Sequence, residues 1–153
     1  MNTSRWKSRL LIAAAVHCCL WGLFIMAWPA VSFGIYGYAD PLVNTLPWQG
    51  CGFVIFLFGA GYTFAATDPD RHFSLVLMGA VAKACGTAGV VYGYLIGSLV
   101  WYSLLWVTVN DLLWIVPFAL IVRDAMRNDR RSRPVTVASR SETHGVWFDW
   151  MGA

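Results

Sequence analysis

Lys83 and Asp111 are single charges placed deep within apolar stretches, each long enough to cross a bilayer. An ionisable side chain in hydrocarbon costs at least about 2.5 to 3.5 kcal/mol on insertion scales, so such groups face a partner, a cavity or a substrate rather than lipid. A lysine facing a carboxylate there can do one of two things. It can neutralise the acid as a structural pair, or it can tune the acid's proton affinity so that Asp111 exchanges a proton during turnover. His17 brings a third titratable group to a similar depth. His17 is roughly 12 Å inside its helix, Lys83 roughly 15 Å and Asp111 roughly 18 Å from the nearest basic end, at the α-helical rise per residue. Asn110 adjoins Asp111, Trp106, Trp114 and Pro117 flank it at helical spacings, and Tyr62 approaches from another segment. Together His17, Tyr62, Lys83, Asn110, Asp111 and Trp114 form the expected polar cluster.

The elements that must position them follow from where charge is missing. The chain is 58% hydrophobic and 12% charged over 153 residues, outside the range of a soluble domain. No charge lies from Leu10 to Ala39 or from Pro41 to Thr67, and Lys83 and Asp111 are the sole charges between His72 and Arg123. With about 20 apolar residues needed per span, these stretches predict an all-α, four-helix transmembrane bundle with spans near 10–31, 46–67, 73–95 and 99–122. Residues 123–153 are read as a basic, flexible tail. Arg5, Lys7 and Arg9 precede the first span, Arg71 lies between the second and third, and Arg123, Arg127, Arg130, Arg131 and Arg133 follow the fourth. The positive-inside rule then makes both termini cytoplasmic. Trp28, Tyr36, Tyr38, Trp48, Trp101 and Tyr102 fit an aromatic belt on the opposite side. The basic start and apolar run of the first span also mark a signal peptide. Its run from Leu10 to Met26 exceeds an h-region of about 7 to 15 residues and holds His17, so it is read as an uncleaved helix.

Gly79, Ala82, Gly86, Gly89, Gly93 and Gly97 draw a small-residue stripe down the third span. Such stripes let backbones approach closely, which predicts that this helix is the central, most enclosed one and that leucine at Gly89 or Gly93 would separate the bundle. Thr67 or Asp68 is expected to cap that helix, with Pro69 in its first turn and Asp70 near its positive end. Arg71 and His72 then sit at the cytoplasmic interface, where they could meet a lipid headgroup. Cys18, Cys19, Cys51 and Cys85 match no zinc or haem spacing and read as small packing residues. Pro117 removes one amide from the ladder and predicts a kink there. The apolar end of the tail, Val146-Trp147-Phe148-Asp149-Trp150-Met151, suits a dip into the membrane interface.

Asp68-Pro69-Asp70-Arg71-His72, then Gly79, Lys83 and Gly86, then Asn110-Asp111-Leu112-Leu113-Trp114-Ile115-Val116-Pro117-Phe118 resemble a set of small bacterial membrane proteins with no established activity. The resemblance covers roughly the second to fourth spans, about half the chain. It implies a bacterial inner-membrane, multi-pass, four-helix architecture. The pattern is similar, more loosely, to the DoxX-like four-helix group, whose members sometimes accompany redox enzymes; that likeness assigns no redox role.

Two classes of function follow. One is an accessory subunit or binder of a small amphipathic ligand such as a lipid or quinone, with the bilayer, a membrane protein or a second copy as partner. The other is a proton-coupled carrier or membrane enzyme using Asp111 and Lys83. The first is preferred, since the chain shows no paired carboxylates, nucleophile–base set, metal-ligand spacing or phosphate loop, and little sign of a transporter's inverted repeat. The basic tail is too short a signal for nucleic-acid binding. No particular cofactor is implied.

Overall fold

In a computed structural model, which describes residues 3–132, the chain is helical throughout its long elements. Helix α1 (Thr3–Ala27) is followed by a short α2 (Pro29–Tyr36), then α3 (Thr45–Ala65), α4 (Phe73–Leu95), α5 (Ser103–Val107), a π-helical turn (Thr108–Leu112) and α6 (Leu113–Ser132). Four of the described helical runs are long and apolar enough to cross a membrane, α5, the π turn and α6 counting as one. Local chemistry sets several boundaries. Pro29 lacks an N–H and opens α2 after a non-helical Trp28, as proline suits a first helical turn. Asn44 accepts a hydrogen bond from the Leu46 amide at 3.0 Å and caps α3. Gly37 closes α2 at φ +81°, where a side chain would be strained and would also strike Val100 and Tyr102.

The boundaries depart from the sequence reading at both chain ends. The first span begins inside the basic segment and stops at Ala27. The last continues through Arg123 and Arg127 to Ser132, so the described part of the basic tail is helical. An amphipathic continuation with arginines at the final turns of a helix is favoured by the helix dipole and by headgroup contact. Arg133, Pro134 and the apolar segment from Val146 to Met151 lie outside the described residues.

The chain forms two helical pairs. Helices α1 and α3 lie against each other along most of their length, and α4 lies along α6. The pairs meet in a core at the arginine-rich end, built from Leu11, Ala14 and Cys18 of α1, Tyr62 and Ala65 of α3, Val76 of α4 and Phe118 and Ile121 of α6. At that end Lys7, 2% exposed, pairs with Asp70 at 2.7 Å, and Asp70 also accepts from Asn128 at 3.2 Å. One carboxylate thus ties the start of α1, the α3–α4 connection and the last turns of α6. Toward the opposite end α3 and α4 part. There the two connections meet instead, through Ala39 N–H to Ser98 O and Val100 N–H to Gly37 O, each at 3.0 Å.

The tight helix seam is not where the glycine stripe placed it. It lies between α1 and α3. A Cβ on Gly22 would fall 2.6 Å from the Gly52 carbonyl oxygen, and one on Gly59 would fall 2.9 Å from the Ala15 carbonyl oxygen. Helix α4 is the least enclosed of the long runs, with 17% of its most apolar window buried against 33% for α1. Nothing lies within 4 Å of a Cβ on Gly89, and a Cβ on Gly86 would meet only Asp111. Three positions of the stripe do touch neighbours or a turn: Gly79 abuts Tyr62, Gly93 abuts Leu99, and Gly97 takes φ +78° in the α4–α5 connection. Asp68 caps its own turn by accepting from the Arg71 amide at 3.1 Å, and α4 starts at Phe73 without a side-chain cap. Asp70 serves Lys7 rather than the helix end.

Candidate functional site

The polar cluster is assembled by four elements, α1, α2, α4 and the π turn. Lys83 of α4 donates to Asp111 Oδ1 at 3.2 Å and to the Asn110 carbonyl at 2.6 Å. His17 Nε2 of α1 lies 2.9 Å from Asn110 Oδ1, and the Asn110 amide donates to the Tyr36 hydroxyl at 3.5 Å. With Asn110 oriented this way its Oδ1 accepts, so the imidazole proton belongs on Nε2. The Trp21 indole also donates to the Tyr36 oxygen, at 3.1 Å. Since that oxygen accepts from both neighbours, its own proton is left to point elsewhere, and Tyr36 lines the adjoining cavity. Burial pushes the Tyr36 hydroxyl up to about 12, against the opposing Trp21 hydrogen bond, so it stays a donor throughout the physiological range.

The π turn explains how consecutive residues both serve the cluster. Its wider turn inserts an extra residue into the helix. Asn110, 5% exposed, and Asp111, with its side chain 20% exposed, therefore both face the bundle interior, and the Asn110 carbonyl is free to receive Lys83. Pro117 already deprives the following turn of one amide. The local distortion thus falls before the proline and is a widening, where the sequence suggested a kink at the proline itself.

Beside the cluster lies a cavity of 670 Å³. His17, Cys18 and Trp21 form its α1 wall, Val54, Ile55 and Phe58 its α3 wall, and Ala82, Gly86, Gly89 and Val90 its α4 wall, with Lys83, Asn110 and Asp111 in the same lining. The glycines that were expected to close a seam instead make room. Asp111 Oδ2, the oxygen not bonded to Lys83, lies on the Gly86 side. At the arginine-rich end the cavity stops at Tyr62 and Gly79. Tyr62 is 1% exposed, and neither its hydroxyl nor the Trp114 indole N–H has a protein hydrogen-bond partner. Leaving a buried polar group unsatisfied costs about 1 to 3 kcal/mol, and the Tyr62 hydroxyl is held against the Gly79 backbone of α4.

The far end is roofed by rings. Phe33 stacks on Tyr38 at 4.0 Å between centroids, and Trp48 meets Phe33, Tyr36 and Tyr38 edge-on at 5.1 to 5.6 Å. The Trp48 indole donates to Ser32 Oγ at 2.9 Å. Of the six aromatic residues assigned to a belt, Trp28 and Trp101 point outward, 60% and 64% exposed, whereas Tyr36, Tyr38 and Trp48 turn inward over the cavity. Burial raises the Tyr38 hydroxyl as well.

Five of the six sequence-derived residues come together, and Tyr62 shares only the cavity lining, its ring packed on Phe58 and Phe118. Trp114 joins through its ring, 5.5 Å from the His17 imidazole, and does not line the cavity. Arg71 and His72 do not join them; the His72 ring packs at a tilt on Phe64, 4.5 Å between centroids, and Arg71 is exposed. Sequence reasoning missed Trp21, Tyr36 and the inward roof, because a tyrosine near a membrane boundary looks the same whether it faces lipid or protein. The four cysteines are unbridged; Cys18 and Cys51 both line the cavity, Cys18 buried and Cys51 exposed. Among the described residues no three His, Cys, Asp or Glu side chains gather to hold a metal ion. Comparison with family models, curated proteins and solved structures finds no match to this chain.

Proposed function

We propose that this chain is a multi-pass protein of a bacterial inner membrane that binds a small amphipathic molecule in the cavity between α3 and α4, on its own or as the ligand-holding subunit of a larger assembly. The observation that carries the reading is the continuity of one apolar cavity with a charge-paired polar cluster. Apolar walls with a few convergent polar groups are the usual form of a small-molecule site. Lys83 and Asp111 cancel each other's charge, which favours a neutral head with hydrogen-bond acceptors over an ion. Tyr36 supplies a donor from the roof side. Access is from the bilayer plane, because Val54 of α3 and Gly86 and Gly89 of α4 are both cavity lining and exposed.

Native mass spectrometry of protein extracted from membranes tests this. Wild type should retain a small molecule that Gly89→Leu, which fills the cavity, releases without loss of fold. The same retained species in both proteins would exclude the cavity. Asp111→Asn with normal retention but lost proton-coupled uptake in vesicles would instead favour a carrier. Orientation is part of the same reading: both termini are cytoplasmic. It is supported by the Lys7–Asp70–Asn128 tie, which gathers the basic segments at one end of the bundle. Cysteines introduced at Asn44 and Ser98, in a background lacking the native ones, should react from outside intact cells. Reaction there only after permeabilisation would invert the topology.

A further inference from the structure

We infer that a second site, a groove between α4 and α6 at the arginine-rich end, holds an anionic phospholipid by its headgroup. The groove measures 420 Å³ and is lined by Leu77 and Ala80 of α4 and by Ala119, Val122, Arg123, Met126 and Arg127 of α6. The register makes it a single surface. Positions 119, 122, 123, 126 and 127 recur at steps of three and four on one face of α6, as do 77 and 80 on α4. It does not touch the central cavity, with which it shares no lining residue.

Polarity along the groove is graded in the sense a lipid requires. Ala80 and Ala119 are apolar and lie deepest, while Arg127 is roughly 12 Å further toward the helix end by α-helical rise. Leu77 and Met126 are 43% and 40% exposed, so the walls open outward to acyl chains. Arg123 and Arg127 stand one turn apart at the mouth. Among the described residues, the acidic group placed against them is Asp124, 3.5 Å from Arg123 and on the adjacent position, an exposed contact of little strength. Two guanidinium groups one turn apart can each give paired N–H bonds to phosphate oxygens. A basic pocket between spanning helices, apolar below and cationic above, fits a lipid with a net negative headgroup. Free phosphate would satisfy the arginines and leave the apolar walls unused, so the lipid is the occupant.

The test uses the full chain in phosphatidylcholine nanodiscs containing a minor fraction of phosphatidylglycerol, with retained lipid counted by native mass spectrometry. Wild type should keep phosphatidylglycerol in preference to phosphatidylcholine. Arg123→Gln/Arg127→Gln should weaken retention by about fivefold per arginine removed, the worth of one basic side chain at an anionic surface. Leu77→Trp, at an exposed wall, should block the groove and lower retention with the arginines intact. Arg5→Gln/Arg9→Gln removes the same charge from exposed positions on α1 and should change nothing. Equal retention of the two lipids, equal loss in the α1 variant, or full retention in Leu77→Trp would each overturn the site. Lipid-independent dimers abolished by Leu77→Trp would assign the groove to a second copy of the chain and overturn it equally.

Discussion

Two glycine-rich surfaces of this protein do opposite things. On the α1–α3 seam, Gly22, Gly52 and Gly59 let two backbones meet so closely that any added carbon would strike the partner helix. On α4, Gly86 and Gly89 face a space that a side chain would otherwise fill. In a bilayer, where lipid tails are as apolar as leucine, helices associate through close packing of small residues. The absence of a side chain permits that packing only when a neighbour is present to use it. The seam fixes one wall of the cavity rigidly, and the α4 surface leaves the opposite wall recessed.

The comparison is most easily broken at the seam. Gly59→Leu should cost at least about 3 kcal/mol, the upper range of overpacking, because carbonyl and amide atoms of α1 have no alternative position. Thermal unfolding in detergent should show loss of the folded species; a melting temperature near wild type would mean that the helices are not in backbone contact.

The cluster comes next. Lys83→Met or Asp111→Leu each strand a charge, which costs about 3 to 5 kcal/mol for a buried pair. The double variant should recover much of that, giving a favourable coupling in a double-mutant cycle. Additive losses would separate the two side chains despite their 3.2 Å contact.

A smaller effect is expected where the packed and open regions meet. Gly79→Ala places a methyl against the Tyr62 hydroxyl, and displacing that ring should cost about 1 to 3 kcal/mol. Tyr62→Phe in the same background should restore part of the loss by removing the clashing oxygen. No rescue would mean that the strain lies in the backbone instead.

Gly89→Leu should have the smallest effect on folding, within about 0.5 kcal/mol of wild type as for other substitutions away from packed features. Its melting temperature distinguishes the two glycine surfaces directly, since a large fall would show that α4 closes on a partner at that level.

Much of the plan is legible in the sequence because the bilayer constrains composition so strongly. Charge-free runs give the helices, and the cost of a buried ion makes Lys83 and Asp111 visible as a pair before any geometry is known. His17 and Asn110 follow from matching depths along helices of fixed rise. Residue type and spacing carry no record of which neighbour a helix face meets. Gly89 and Gly59 are chemically identical, and only the splaying of α3 from α4 makes one a gap and the other a contact. Tyr36 likewise becomes part of the site because α2 folds back over α1 and brings its hydroxyl to Trp21 and Asn110. The π turn that presents both Asn110 and Asp111 rewards packing that exists only in three dimensions. Composition alone thus sets how many helices are long and apolar enough to cross a membrane, and where charge must be paired. Tertiary structure decided which glycines pack and which leave a cavity, because close approach is a property of two surfaces and each segment encodes only its own.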